Sequence, residues 1–127
     1  MSRTILVVDD EANVRLFLRE LFQEDGWMVF EAGTAKEGIA EARKQCPSIV
    51  LLDLLLPDAD GLALINEFKG IDKLTEVIVI TAVGTVDNAV QAMKNGAYDF
   101  ITKPFDIEKI QAVHRRDSIL PSSAENL

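Results

Sequence analysis

The chain has 127 residues, with 21 Asp and Glu against 13 Lys and Arg, and a formal net charge of -8. That length suits one domain, and 48% hydrophobic with 27% charged residues is the composition of a globular protein, which excludes a disordered acidic tail. The negative balance repels phosphates and excludes broad contact with nucleic acid or an anionic membrane.

A single cysteine, Cys46, forms no internal disulfide and is expected as a small buried hydrophobe. After Met1-Ser2-Arg3-Thr4 the first apolar run is only Ile5–Val8, too short for a signal-peptide core or a membrane span, so a cytoplasmic location is expected.

Along the chain, apolar runs of strand length alternate with stretches of helical period. The first strand is Ile5–Val8. Val14, Phe17, Leu18, Leu21 and Phe22 then repeat at i, i+3, i+4, i+7 and i+8, which predicts one face of an amphipathic helix. Met28–Phe30 is the second strand. Thr34, with Glu37 three residues later, predicts a capping box that opens the second helix. Ile49–Leu52 is the third strand, and a third helix begins at Asp60-Gly61 with Leu64, Ile65 and Phe68 on one side. Val77–Ile80 is the fourth strand. A fourth helix from about Thr85 to Lys94 stops at Asn95-Gly96, a pair suited to a left-handed C-terminal cap. Phe100–Ile101 is the fifth strand. A fifth helix starts after Pro104, near Asp106, with Ile107, Ile110 and Val113 inward. Beyond Arg115 the pattern fails, so residues 1–120 are expected to form the domain and 121–127 a disordered tail or the start of a linker.

Five strand–helix units in strict alternation predict an α/β fold, a doubly wound parallel sheet covered by five helices on its two faces. Ligands of such sheets bind outside the carboxyl ends of the strands. The residues found there are Asp9, Asp10 and Glu11 after the first strand, Asp53 after the third, Thr81 after the fourth, and Lys103 after the fifth. Asp9-Asp10 also suits a helix cap. Asp53, with four apolar residues before it and three after, lies at the mouth of a buried strand, where a carboxylate is costly unless paired or metal-bound. Acids from neighbouring strands repel one another unless a cation sits among them, and oxygen-only ligands open to solvent suit Mg²⁺ rather than zinc. The same acids exclude the phosphate cradle that flavodoxin builds from its first loop. A bound Mg²⁺ bridges a carboxylate to an incoming phosphoryl group, Lys103 neutralises another of its oxygens and Thr81 donates to a third. Asp53 is then the natural nucleophile, forming an aspartyl phosphate.

Asp9-Asp10, Asp53 followed by Pro57 and Asp60-Gly61, Thr81-Ala82, and Lys103-Pro104-Phe105 together resemble the receiver domain of bacterial two-component response regulators, over roughly residues 4–116. The resemblance implies a flavodoxin-like sheet of order 2-1-3-4-5. It implies Asp53 as phosphoacceptor, Asp10 as a direct Mg²⁺ ligand, Asp9 acting through water, and the carbonyl of Leu55 completing the protein ligands. It further implies contact of Lys103 with the phosphoryl group, a cis bond between Lys103 and Pro104, and Thr81 with Phe100 as a switch pair. The phosphodonor would be a sensor histidine kinase. The responding surface would be the fourth helix, fifth strand and fifth helix, with a homodimer formed through it. Asp87-Asn88-Ala89-Val90-Gln91-Ala92-Met93-Lys94-Asn95-Gly96-Ala97-Tyr98-Asp99-Phe100 is similar to receivers of transcriptional regulators, including those that activate sigma-54 polymerase. Two other functions stay open: a Mg²⁺-dependent phosphohydrolase, although those enzymes usually separate the first two aspartates by one residue, and a phosphorylation-independent interaction module, although that would lack the nucleophile or the lysine.

Overall fold

Runs such as Ile49-Val50-Leu51-Leu52 are apolar at every position because both faces of a parallel sheet are covered. In the computed structural model, which describes residues 3–104 and Glu108, the strands are β1 (Thr4–Val8), β2 (Met28–Ala32), β3 (Ile49–Leu52), β4 (Glu76–Thr81) and β5 (Asp99–Thr102). The helices are α1 (Ala12–Glu24), α2 (Ala35–Gln45), α3 (Gly61–Ile71) and α4 (Val86–Lys94). All five strands pair in parallel in the order β2-β1-β3-β4-β5, as expected. The fifth helix and the tail expected from Asp106 onward lie outside the described residues, apart from Glu108.

Side-chain alternation sorts the core by residue parity. Leu6, Val8, Val50, Leu52, Val77 and Val79 pack against Ala35 and Ala42 of α2, Leu64, Ile65 and Phe68 of α3, and Ala92 of α4. The opposite parity, Ile5, Val7, Ile49, Leu51, Ile78 and Ile80, packs against Leu18 and Phe22 of α1 and against Trp27. Phe22 and Phe68 are fully buried, each worth about 1.5–3 kcal/mol of burial free energy.

The helix signals are matched closely. Thr34 Oγ1 accepts from the Glu37 amide at 3.1 Å, while the Glu37 carboxylate takes the amide of Gly33, one residue earlier than a capping box expects. The first two amides of α2, Ala35 and Lys36, bond instead to Asp58 at 2.8 and 3.1 Å. Those bonds hold the Asp58 carboxyl below the usual carboxylate range. Asn95 caps α4, and Gly96 follows at φ 102.

Two expectations need correction. Cys46 is exposed, because it ends α2 in the left-handed region (φ 45), where its amide bonds Ala42 and its side chain turns outward. Phe17 is 40% exposed, and of the stripe on α1 only Leu18 and Phe22 are fully buried.

Between β3 and α3 the chain makes a two-residue antiparallel ladder, Leu55–Leu56 with Ala59–Asp60. Asp60 caps α3, its carboxylate taking the Leu62 amide. Gly61 is the first residue of α3, and a Cβ there would lie 2.5 Å from the backbone Cα of Leu54. A backbone neighbour cannot rotate aside. Gly61→Ala should therefore lower unfolding free energy by about 1–3 kcal/mol, read by urea denaturation, with wild-type stability counting against this packing.

Candidate functional site

Strand register creates the site. Val8 sits opposite Leu52, the Asp53 amide extends the ladder to the Val8 carbonyl at 2.9 Å, and the Asp9 amide bonds Ala32 at 3.0 Å. Asp9 and Asp53 thus leave adjacent central strands at the same level. Two strands further across the sheet, the Lys103 amide bonds the Thr81 carbonyl at 2.9 Å, which ties the lysine to the end of β4. The Lys103–Pro104 bond is cis.

The Lys103 side chain reaches back over the end of β4. Its ammonium lies 2.7 Å from Asp9 Oδ2, 2.9 Å from Asp53 Oδ2 and 3.0 Å from Glu11 Oε1. Burial alone would pull this lysine down, yet hydrogen bonds to Asp9, Asp53 and Glu11 outweigh it and hold its pKa above the ordinary value. Asp9 responds in the opposite sense. Burial raises its carboxyl above the usual range, assisted by the Asp53 charge and opposed by Lys103 and the Glu11 amide.

Local turns hold both buried acids. Asp9 Oδ1 takes the Glu11 amide at 2.9 Å, and Asp53 Oδ1 takes the Leu55 amide at 3.0 Å. Arg15 clamps the carbonyl of Asp9 from α1 at 2.6 Å while pairing with Glu31 of β2. Ligand oxygens of Asp9, Asp10, Glu11 and Asp53 all lie within 4.8 Å of one another, with Asp9 and Asp53 buried and Asp10 and Glu11 exposed. A donor set made wholly of carboxylate oxygen, open to water on one side, fits a hard divalent cation.

Thr81 is fully buried, and its hydroxyl accepts the Val83 amide at 3.3 Å. It shares a sheet face with Val77 and Val79, whereas Asp9, Asp53 and Lys103 continue the other parity. Phe100 pairs with Val79 and packs on the Thr81 face, one step diagonally from it. Leu55 is 53% exposed, with its backbone in the ladder beside Asp53. The structure thus brings together Asp9, Asp10, Asp53 and Lys103, and sets Thr81 directly under the lysine backbone.

Glu11, Arg15 and Asp58 join this neighbourhood without having been singled out as site residues from the sequence. Glu11 was signalled only by following two aspartates. Arg15 and Asp58 act across elements, on Asp9 and on α2, and no local pattern marks them.

A model of the response regulator receiver domain matches residues 5–115, and the chain belongs to that family. Sporulation initiation phosphotransferase F of Bacillus subtilis (strain 168) is 35% identical over 111 residues, 87% of this chain and 90% of that protein. The KDP operon transcriptional regulatory protein KdpE of Escherichia coli (strain K12) is 39% identical over 85% of this chain, which spans only 48% of KdpE. Among solved structures, the receiver domain of NtrX from Brucella abortus is similar with a TM-score of 0.81 and 36% identity, covering 88% of this chain and 95% of that one. The chain is thus the receiver domain of a two-component response regulator, a family whose members include transcription regulators.

The charge balance makes a pH-dependent expectation. Lys103→Met leaves buried Asp9 and Asp53 without their shared cation, so in metal-free buffer near pH 7 the variant should lose about 1–3 kcal/mol, less than a fully enclosed pair because water reaches one side. The raised Asp9 carboxyl takes up a proton as pH falls through its folded value, relieving the repulsion. The deficit should therefore shrink as the pH is lowered from neutral toward the ordinary carboxylate range, measured by denaturation at each pH. A deficit that stayed constant would contradict this balance.

Proposed function

We propose that this receiver is activated by phosphorylation. It takes a phosphoryl group from a sensor histidine kinase onto Asp53, with Mg²⁺ as cofactor, and so controls a transcription output. The observation that carries the reading is the convergence of Asp9, Glu11 and Asp53 on the Lys103 ammonium within 2.7–3.0 Å, beside the exposed carboxylate of Asp10.

Asp10 and Asp53, with Asp9 behind them and the Leu55 carbonyl alongside, would hold Mg²⁺. When bound, the ion supplies neutralisation of phosphoryl oxygens and of the acids themselves. The chain's own groups do the rest. A carboxylate oxygen of Asp53 forms the new P–O bond as the bond from phosphorus to the donor breaks, and the electron pair leaves with the donor's imidazole nitrogen or acyl oxygen. Lys103, already charged and aimed at Asp53, takes one phosphoryl oxygen. Thr81 donates its hydroxyl hydrogen to another, since the hydroxyl oxygen only accepts from the Val83 amide.

Movement of Thr81 changes the face on which Phe100 packs, and that is the route by which charge at Asp53 reaches α4 and β5. Val86, Val90 and Met93 stand exposed on α4, an apolar edge suited to a homodimer through α4, β5 and the fifth helix. Output through transcription is supported by the similarity to KdpE. Among the described residues no helix is long and apolar enough to cross a membrane. The reading takes the protein as cytoplasmic, with residues 1–120 as the domain, and assigns no nucleic-acid contact to it.

Incubation with Mg²⁺ and acetyl phosphate should add a single base-labile phosphoryl group, seen by intact mass and absent in Asp53→Asn. An unmodified wild type, or the same adduct in the variant, would sink the reading.

Leu55 and Val83, two residues beyond Asp53 and Thr81, are apolar and orient no attacking water. Leu55→Asn and Val83→Glu should each shorten the phosphoryl lifetime in a dephosphorylation time course, and unchanged lifetimes would deny these positions a role.

A further inference from the structure

We propose that Glu11 is the exchangeable partner of Lys103, holding the ammonium in the unphosphorylated protein and yielding its place to the incoming phosphoryl group. The inference rests on Asp53 as phosphoacceptor, and it makes Glu11 a positioning residue that acts through the lysine.

A lysine ammonium has three N–H donors, and here each has a carboxylate: Asp9 at 2.7 Å, Asp53 at 2.9 Å and Glu11 at 3.0 Å. A phosphoryl oxygen gains a hydrogen bond from Lys103 only when one of the three lets go. The partners are unequally free. The side chains of Asp9 and Asp53 are each 4% exposed, and each is pinned by a backbone amide, from Glu11 and Leu55 respectively. Withdrawing Asp9 would strand a buried charge, and Asp53, the group being phosphorylated, stays beside the lysine.

Glu11 differs on every count. Its side chain is 60% exposed, and its only ion pair among the described residues is with Lys103. It occupies the N-cap of α1 yet makes no side-chain bond to the helix amides that a capping residue normally serves. Its backbone is fixed by Asp9 while the carboxylate is free to swing into water. During transfer the P–O bond to Asp53 forms, the donor's P–O bond breaks with its electron pair on the leaving acetate, and one lysine hydrogen bond passes from Glu11 to a phosphoryl oxygen. No proton changes owner.

Because Glu11 competes with the phosphoryl group for one donor, its removal should tighten use of the phosphodonor. The test follows phosphorylation of the full chain by acetyl phosphate at saturating Mg²⁺ in Glu11→Ala and Glu11→Asp, alongside calorimetric titration with Mg²⁺ alone. Aspartate keeps the charge but is one methylene, about 1.5 Å, too short to reach Lys103.

Both variants should lower the half-saturating acetyl phosphate concentration about two- to fivefold, the range of an exposed ion pair. If Glu11→Asp behaves like wild type while Glu11→Ala does not, the effect is charge repulsion and the exchange is refuted. A fall in Mg²⁺ affinity of about tenfold or more would make Glu11 a cation ligand and likewise overturn the proposal. Wild-type behaviour in both variants overturns the role of Glu11 alone, whereas a wild type that accepts no phosphoryl group removes the Asp53 reading beneath it.

Discussion

Two carboxylates buried side by side at the end of a parallel sheet repel each other, and the fold places a cation among them. Asp9 and Asp53 leave β1 and β3 in register, so their proximity is set by the same ladder that pairs Val8 with Leu52. Lys103 meets both within 2.9 Å, and the energetic consequence is visible in opposite directions: the lysine is held protonated while burial lifts the Asp9 carboxyl. Chemistry at Asp53 therefore cannot be neutral to the structure. Any change in charge at that carboxylate alters the balance that Lys103 maintains, and Lys103 is tied through its own amide to the strand that carries Thr81.

That coupling explains why the site is spread over four loops and yet behaves as a unit. Arg15 fixes the Asp9 loop from α1, the Leu55 amide fixes Asp53, and Asp58 carries the loop after β3 across to the N-terminus of α2. Gly61 lets that loop pass against the start of α3 at a distance no side chain permits. The buried acids are consequently held by backbone donors, while the exposed ones, Asp10 and Glu11, remain free to rearrange. Backbone-held, buried groups and solvent-exposed groups thus coexist in one cluster.

Much of this was legible in the chain itself. Strand runs with no polar interruption announced a doubly covered sheet, and Asp53 stood out because it breaks such a run. Thr34, Asp60 and Asn95-Gly96 marked helix ends through local hydrogen-bonding chemistry that operates within a few residues. Where the reading failed, the cause was geometric. Cys46 was expected inside on residue type, but it falls at a left-handed helix end that points it outward. Phe17 follows the helical period yet stays partly exposed, beside Val14, Lys103 and Pro104.

Alternation of apolar runs with amphipathic segments determined the fold class by itself, because burial of both sheet faces dictates composition residue by residue. The identity of the acids, the threonine and the lysine at the strand ends was equally explicit, since those residue types have no other reason to sit there together. Only the tertiary structure decided how they share charge. Lys103 is 50 residues from Asp53 and 92 from Glu11 along the chain, so its three partners depend on strand order and on the reach of its side chain across β4. The same holds for Arg15 on the Asp9 carbonyl and Asp58 on the α2 amides. These contacts are long-range, and strand register, which no local segment encodes, is what brings them together.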